Sequence, residues 1–543
     1  LILKNEKGYT LLTTMLVFII FMVLGVSILA MSIGGAKRTS MLESNVVTDL
    51  DAMKAIDEGV TLLKYELQKD EFTNISLDEY NSKLELLLQN IQCSQVDKTP
   101  TCFTIKNITP DDIEQDQYYT RVFDVSAVGS NGQAYRQKVF VTSMPSFLKY
   151  AAGSRGELTI NGSGYFEGDL YANGGINMAN DALYIYNGNK QIVNTVFPTI
   201  KAGGELILNG NASTCENSIN NATRCYNQDH ERLSTNWSQV DYAMIPNIFT
   251  ASGPTVVSNQ DYISVEVKNT AVDKFLSLES GLTENTIKKM MDQNSLLSLL
   301  SQDEVKDLVT DQFEVHMGNT MTNPDPEKSH LYLGNTLVKG TSINVNKDDW
   351  IIVNGDLTIE NPGNERLEFN GNLIVTGNVT IRGDIYFDSV MYIIGNTRIN
   401  DANINDIGTS NDDQYKDKEL ILMTEGRLEL ARFNKFQDVD KGTKLKAYLY
   451  TEQDAVVYAV GSYVYIEGGI FSNGSLTLNG FRGDAAPNAG DSDLKFTPPN
   501  DQNQYTKSRL TIVNNPKLFL DQQAALPRVD KLNVIIDNIE KAD

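Results

Sequence analysis

The chain has 543 residues, 41% of them hydrophobic, which supplies several buried cores, argues against disorder throughout and suggests two to four domains. Asp and Glu number 70 against 46 Lys and Arg, and the formal charge of −24 opposes attraction to phosphate backbones, so no nucleic-acid partner is expected. The histidines are His230, His316 and His330, and the four cysteines show no CxxC spacing, so neither a structural zinc site nor any other metal site is assigned.

No charged residue occurs from Gly8 to Ala36. The apolar run from Leu11 to Ile33 is long enough to cross a bilayer as a helix, which takes roughly 20 residues. It outruns the apolar region of a cleaved secretory signal, about 7–15 residues. Lys4 and Lys7 precede it and Lys37 and Arg38 follow, so charge alone leaves its orientation open.

The segment Glu6-Lys7-Gly8-Tyr9-Thr10-Leu11-Leu12 resembles the junction of type IV prepilins, where a dedicated peptidase cuts after a glycine on the cytoplasmic side. A residue without Cβ suits such a site because it lets the backbone approach the protease closely. The resemblance implies a leader over 1–8, cleavage between Gly8 and Tyr9, and a retained single-pass transmembrane helix over 9–36, with the rest of the chain outside the cytoplasm. Major pilins carry glutamate at the fifth mature position, and here that position is Thr13. The departure is common in the PilX-like minor pilin group, and Ala52-Met53-Lys54-Ala55-Ile56-Asp57-Glu58-Gly59-Val60 resembles the alanine-rich A-x-x-A-x-E-x-G stretch with which that group continues its helix. The partners so implied are the membrane, prepilin peptidase and other pilin subunits.

A pilin-like module is expected over 37–145. Val46, Leu50, Met53, Ile56, Val60, Leu63 and Leu67 recur at steps of three and four, a helical stripe that continues the anchor into the aqueous side. Ser76-Leu77-Asp78-Glu79 is a capping box opening a second helix with Tyr80, Leu84, Leu87, Leu88 and Ile91 on its apolar face. Cys93 with Cys102, and Cys215 with Cys225, enclose short polar segments and suggest two local disulfides. Four cysteines allow three connectivities, and loop length alone favours this one. Val122–Val128 and Tyr135–Val141 flank Gly129-Ser130-Asn131-Gly132 as a hairpin.

Beyond Met144-Pro145 one template recurs: a glycine turn, a small polar residue, and a strand whose first and third residues are apolar. It appears at Asn354-Gly355-Asp356-Leu357-Thr358-Ile359, around Gly371, Gly377 and Gly383, at Asn473-Gly474-Ser475-Leu476-Thr477-Leu478, and more faintly at Gly156 and Gly204. The expected class is mainly β, a large right-handed β-helix-like solenoid following the helix and its small α+β module. Its first part is assigned to 146–271, a helical insertion with a Ser301-Gln302-Asp303-Glu304 capping box to 272–313, the main part to 314–482, and a polar loop with closing strands to 483–543. Leu357, Ile359, Leu373, Val375, Val379, Ile381, Ile385 and Phe387 should fill one interior. Thr358, Ile374, Thr380 and Tyr386 should face outward.

Solenoids of this kind include polysaccharide-active enzymes, and Arg382, Asp384, Asp388 and Arg398 form the one cluster that could serve such chemistry. Asp401, Asp406, Asp412 and Asp413, and separately Asp484, Asp491 and Asp493, are acidic loop groups that match no EF-hand. Arg482-Gly483-Asp484 spells an integrin-type tripeptide. There is no nucleotide-binding loop, HExxH or GxSxG, and no cofactor is expected. The reading is a non-enzymatic, minor-pilin-like surface component of a pilus or pseudopilus, with an extracellular surface or polysaccharide as its ligand class. Its rivals are a membrane-tethered envelope adhesin outside any filament and a surface polysaccharide-active enzyme.

Overall fold

The computed structural model describes the chain except for residues 1–6, 70–76, 92–101, 110–119, 143–145, 218–223, 259–261, 263–264, 277, 279–281, 292–302, 318, 347, 364–366, 405–418, 432–434, 437, 440–443, 489–492, 501–503, 516–532, 538 and 543. It divides into two compact units: Leu1–Ser143 together with Lys531–Asp543, and Met144–Asp530.

The smaller unit is built on one 61-residue helix, Lys7–Leu67. Its last four turns bury Ala52, Ala55, Ile56, Val60, Leu63 and Leu67 against an antiparallel sheet. Phe103–Asn107, Thr120–Val128 and Ala134–Thr142 follow one another in that sheet, and Leu84, Leu87 and Ile91 complete the core. The alanines and Gly59 bring the helix close to the strands: a Cβ on Gly59 would lie 2.8 Å from the Phe103 ring. The buried stripe therefore starts later than expected. Val46 and Leu50 are more than half exposed: Val46 precedes Thr48, where burial begins, and Leu50 lies on the exposed side of the helix.

A fourth strand, Asn533–Ile536, pairs antiparallel with 139–142. The solenoid is thus inserted between two neighbouring strands of the small module, and the segment assigned to 483–543 is shared between the units. Leu510–Asn514 joins the solenoid and Asn533–Ile536 the small sheet.

In the larger unit each coil turns through three short parallel strands. Trp350–Asn354, Leu357–Asn361 and Leu367–Asn370 make one coil, and each pairs in register with the next coil through Asn372–Val375 and the bent strand Val379–Ile393. Gly371, Gly377 and Gly383 are successive corners of a single coil and not equivalent points of successive coils. The coil repeat shows in the corner hydrogen bonds, which join residues 18, 22 and 31 apart. All eight residues expected in the interior are buried there in one continuous cluster.

One corner carries a backbone ladder. Gly377 N donates to Gly355 O, Gly395 to Gly377, Gly426 to Gly395, Gly156 to Gly474 and Gly174 to Gly156, at 2.9–3.1 Å. A Cβ on Gly395 would fall 2.4 Å from Gly377 O, which is why the corner needs glycine. The polar residue after each glycine extends the ladder: Asn335 Oδ1 accepts from Asp356 N, Asp356 Oδ1 from Asn378 N, Asn378 Oδ1 from Asn396 N and Asn396 Oδ1 from Arg427 N. Corner amides and carbonyls that turn out of the strands are thereby paired from coil to coil.

The coils do not stack in chain order. Strands of 313–480 stack successively, and the last of them, Val464–Ser472 and Leu476–Gly480, pair with Tyr150–Ser154 and Glu157–Gly162 at the beginning of the unit. Coils from 164 to 257 continue the stack from there. The helical insertion, Val267–Leu276, Glu284–Met290 and Asp303–Gln312, links the end of one block to the start of the other across an outer face. Tyr262 stacks on Phe471 with ring centroids 5.5 Å apart, Tyr450 donates its hydroxyl to Val265 O, and Asn354 Nδ2 donates to Met290 O. Ile374 and Tyr386, expected to face outward, lie outside the interior cluster yet are covered: Ile374, on this strapped face, is fully buried, and Tyr386 on the third side is 2% exposed.

Candidate functional site

The N-terminal helix is the clearest functional feature. From Leu11 to Ile33 its large apolar side chains are 48–79% exposed. Contiguous apolar surface of that extent marks a surface that meets something other than water. Among the described residues this is the one helix long and apolar enough to cross a membrane, and it serves as a membrane anchor or a signal sequence. Gly8 and Tyr9 lie in its first turn. Thr13 is exposed on the same helix, within the apolar stretch.

Cys215 and Cys225 form a disulfide with Cα atoms 5.7 Å apart, packed with Ala179, Leu183 and Tyr226. Cys102 is disulfide-bonded, and Cys93 lies outside the described residues. Arg382 Nε donates to Asn400 Oδ1 and Arg398 pairs with Glu429 at 2.7 Å, so both arginines of the suspected catalytic cluster are engaged along the sheet. Of the acidic loops, Asp406, Asp412, Asp413 and Asp491 fall outside the described residues, and Asp493 accepts from Tyr184 and from Leu494 N. Arg482 is buried, with Nε donating to Ser163 Oγ and one terminal nitrogen to Thr199 Oγ1; the integrin-type tripeptide is therefore not displayed.

A cluster at the end of the stack was not singled out by sequence reasoning. Among the described residues Phe313–His316 is the terminal strand of the stack, paired only with Ser329–Leu333. Glu314 lies opposite His330 and His316 opposite Tyr332, while His330 and Tyr332 lie opposite the interior residues Ile351 and Val353. Apolar interior positions thus give way to two imidazoles and a carboxylate at the mouth of the coil. His316 Nε2 is 3.0 Å from His330 Nδ1, Glu314 Oε2 is 3.7 Å from that same nitrogen, and the His316 ring stacks on Tyr332 at 4.3 Å. His330 is fully buried, and its Nε2 is 2.8 Å from Asp325 O. A carbonyl can only accept, so Nε2 carries the proton and Nδ1 presents its lone pair to the cluster. Burial, and next the His330 ring, hold the His316 imidazole below its ordinary pKa, against the opposing pull of Glu314. The available signal was Glu314-x-His316, two side chains on one face of a strand, with a third donor one short coil later.

No protein-family model matches the chain, and no characterised protein or solved structure matches it either.

Proposed function

We propose that this protein is a membrane-anchored, minor-pilin-like structural and adhesive component displayed on the cell surface, and that it carries no catalytic activity. The observation that carries the reading is the division of labour along one uninterrupted helix. Its first half is apolar and bare, and its last turns form the spine of a small antiparallel sheet. A helix of this kind leaves the core-packing half outside the bilayer while the apolar half packs in lipid or against other helices. The junction at Gly8 and Tyr9 and the Thr13 departure supply the resemblance to minor pilins, and the inserted solenoid is the presented element. Peptide mapping of the protein from cells with active prepilin peptidase should find a mature terminus at Tyr9, and sheared filaments should contain the chain. An intact leader under those conditions removes the pilin reading. Correct processing with absence from filaments leaves a tethered envelope adhesin.

A further inference from the structure

We propose that Glu314, His316 and His330 bind a divalent transition-metal ion, with Zn²⁺ the best fit, at the terminal coil of the solenoid. The three donor atoms lie within 4.8 Å of one another. Two imidazoles and one carboxylate are a borderline donor set that suits zinc and its first-row neighbours and disfavours the all-oxygen cations Ca²⁺ and Mg²⁺. Ligand bonds of about 2.0–2.1 Å in a tetrahedron put neighbouring donors about 3.3 Å apart. The observed 3.0 Å between the two nitrogens and 3.7 Å between nitrogen and carboxylate bracket that edge.

The surroundings already resemble those of a ligating pair. His330 is oriented by the bond between its Nε2–H and the backbone carbonyl of Asp325, the outer contact that fixes tautomer and ring direction in histidine ligands. His316 is held flat against Tyr332. Without an ion, His316 Nε2 donates its proton to His330 Nδ1. Binding would replace that proton by the metal, with the His316 proton moving to Nδ1, so the imidazole stays neutral. Glu314 is 45% exposed along its side chain and can turn to complete the set, leaving a fourth position for water. Two ligands sit on Phe313–His316 and one on the strand beside it, so the ion would staple a strand that pairs on one side only among the described residues.

The test uses the full-length chain in detergent, stripped with a chelator and then titrated with Zn²⁺ against a chromophoric competitor. The wild type should take up one equivalent and melt at higher temperature in its presence. E314Q and H316N should lose affinity by at least the roughly 10–100-fold that even an outer-contact substitution costs a metal site. They should also lose the zinc-dependent rise in melting temperature, and H230N should behave as wild type. Co²⁺ should give the intense visible absorption of a tetrahedral site in the wild type and not in E314Q. Failure of the wild type to compete for zinc overturns the proposal. So does unchanged uptake in both E314Q and H316N, which would place the ion elsewhere. E314Q lies at a half-exposed position, so its circular dichroism and metal-free melting should match the wild type and separate ligand loss from misfolding. The outcome does not depend on the pilin reading, which the mature terminus decides.

Discussion

Two sides of the same solenoid present opposite outer surfaces although they are made by the same coils. On the strapped side, Ile352, Ile374, Tyr392, Met423, Tyr450 and Phe471 form an unbroken column, each opposite the next in register and each at most 2% exposed. On the side that follows the glycine corner, the equivalent column runs Thr358, Thr380, Arg398, Glu429, Val456 and Thr477. The interior residues are alike on both sides, so the difference reports what lies outside. The described parts of the segment from Tyr262 to Gln312 lie over the first column, and the second is polar apart from Val456 and partly exposed. A sheet buried on both faces loses its alternation, whereas a sheet with one wet face keeps it.

The comparison breaks most severely in the interior. Val379→Asp should cost roughly 3–5 kcal/mol, because the carboxylate would sit between Leu357 and Thr397 without a cationic partner. Thr380→Asp, one residue on, should stay within about 0.5 kcal/mol, with Arg398 as its register neighbour. Chemical denaturation of the full-length variants gives both values, and equal tolerance at the two positions would contradict a filled interior.

Ile374→Asp sharpens the contrast between the sides. Its cost is capped by the free energy of lifting the strap, since a released strap lets the carboxylate reach water. About 2–3 kcal/mol is expected. Limited proteolysis should show faster cleavage between Tyr262 and Gln312 while the coils still melt as one unit. Loss of the whole solenoid, as with Val379→Asp, would show that strap and coils are not separable.

Gly395→Ala tests the corner that divides the two sides. The new Cβ would press on Gly377 O, and the neighbouring coils must part for it, at about 1–3 kcal/mol of overpacking. The column already shows how a side chain is accommodated. At Gln453 the amide donates to Thr451 Oγ1, and the Thr451 hydroxyl donates to Gly426 O, so the direct ladder bond is rerouted. A melting temperature for Gly395→Ala equal to that of the wild type would show that the ladder contributes little.

Local rules carried the template and the interior. Leu357, Ile359, Leu373, Val375, Val379, Ile381, Ile385 and Phe387 were legible because period-two alternation after a glycine corner leaves one inward set. The stacking order was not legible, because every coil bears the same template and nothing local says which coil is its neighbour. Asn161 donates to Asn479 across 318 residues of chain, a pairing that the sequence of neither strand specifies. The return of Asn533–Ile536 to the small sheet is hidden for the same reason. In the sequence His316 and His330 are too few to suggest a zinc site, because a three-donor set with Glu314 spread over two strands is recognisable only once the strands are placed in register.

The smallest expected effect is a pH dependence where the strap is fastened. Glu452 Oε1 accepts from Val267 N at the start of the first strap helix. Burial, with smaller contributions from Glu425 and Glu266, raises its carboxyl to about 7 against the opposing pull of that backbone bond. A carboxyl whose folded pKa lies above its unfolded value binds protons more tightly in the folded state. The stabilisation is therefore fully present below the unfolded pKa, near 4.5, and is lost as pH rises through about 7. Glu452 is partly exposed, so after solvent screening the change amounts to about 1 kcal/mol. Wild-type protein should show strap cleavage that quickens, relative to Glu452→Gln, between about pH 4.5 and about pH 7 and levels off above that. The variant keeps an acceptor for Val267 N and has no proton to lose, so its own profile should be flat after correction for protease activity. If the two proteins changed in parallel, the fastening of the strap would not depend on the charge at Glu452, and the polar attachment would contribute less than the Tyr262, Tyr450 and Phe471 contacts beside it.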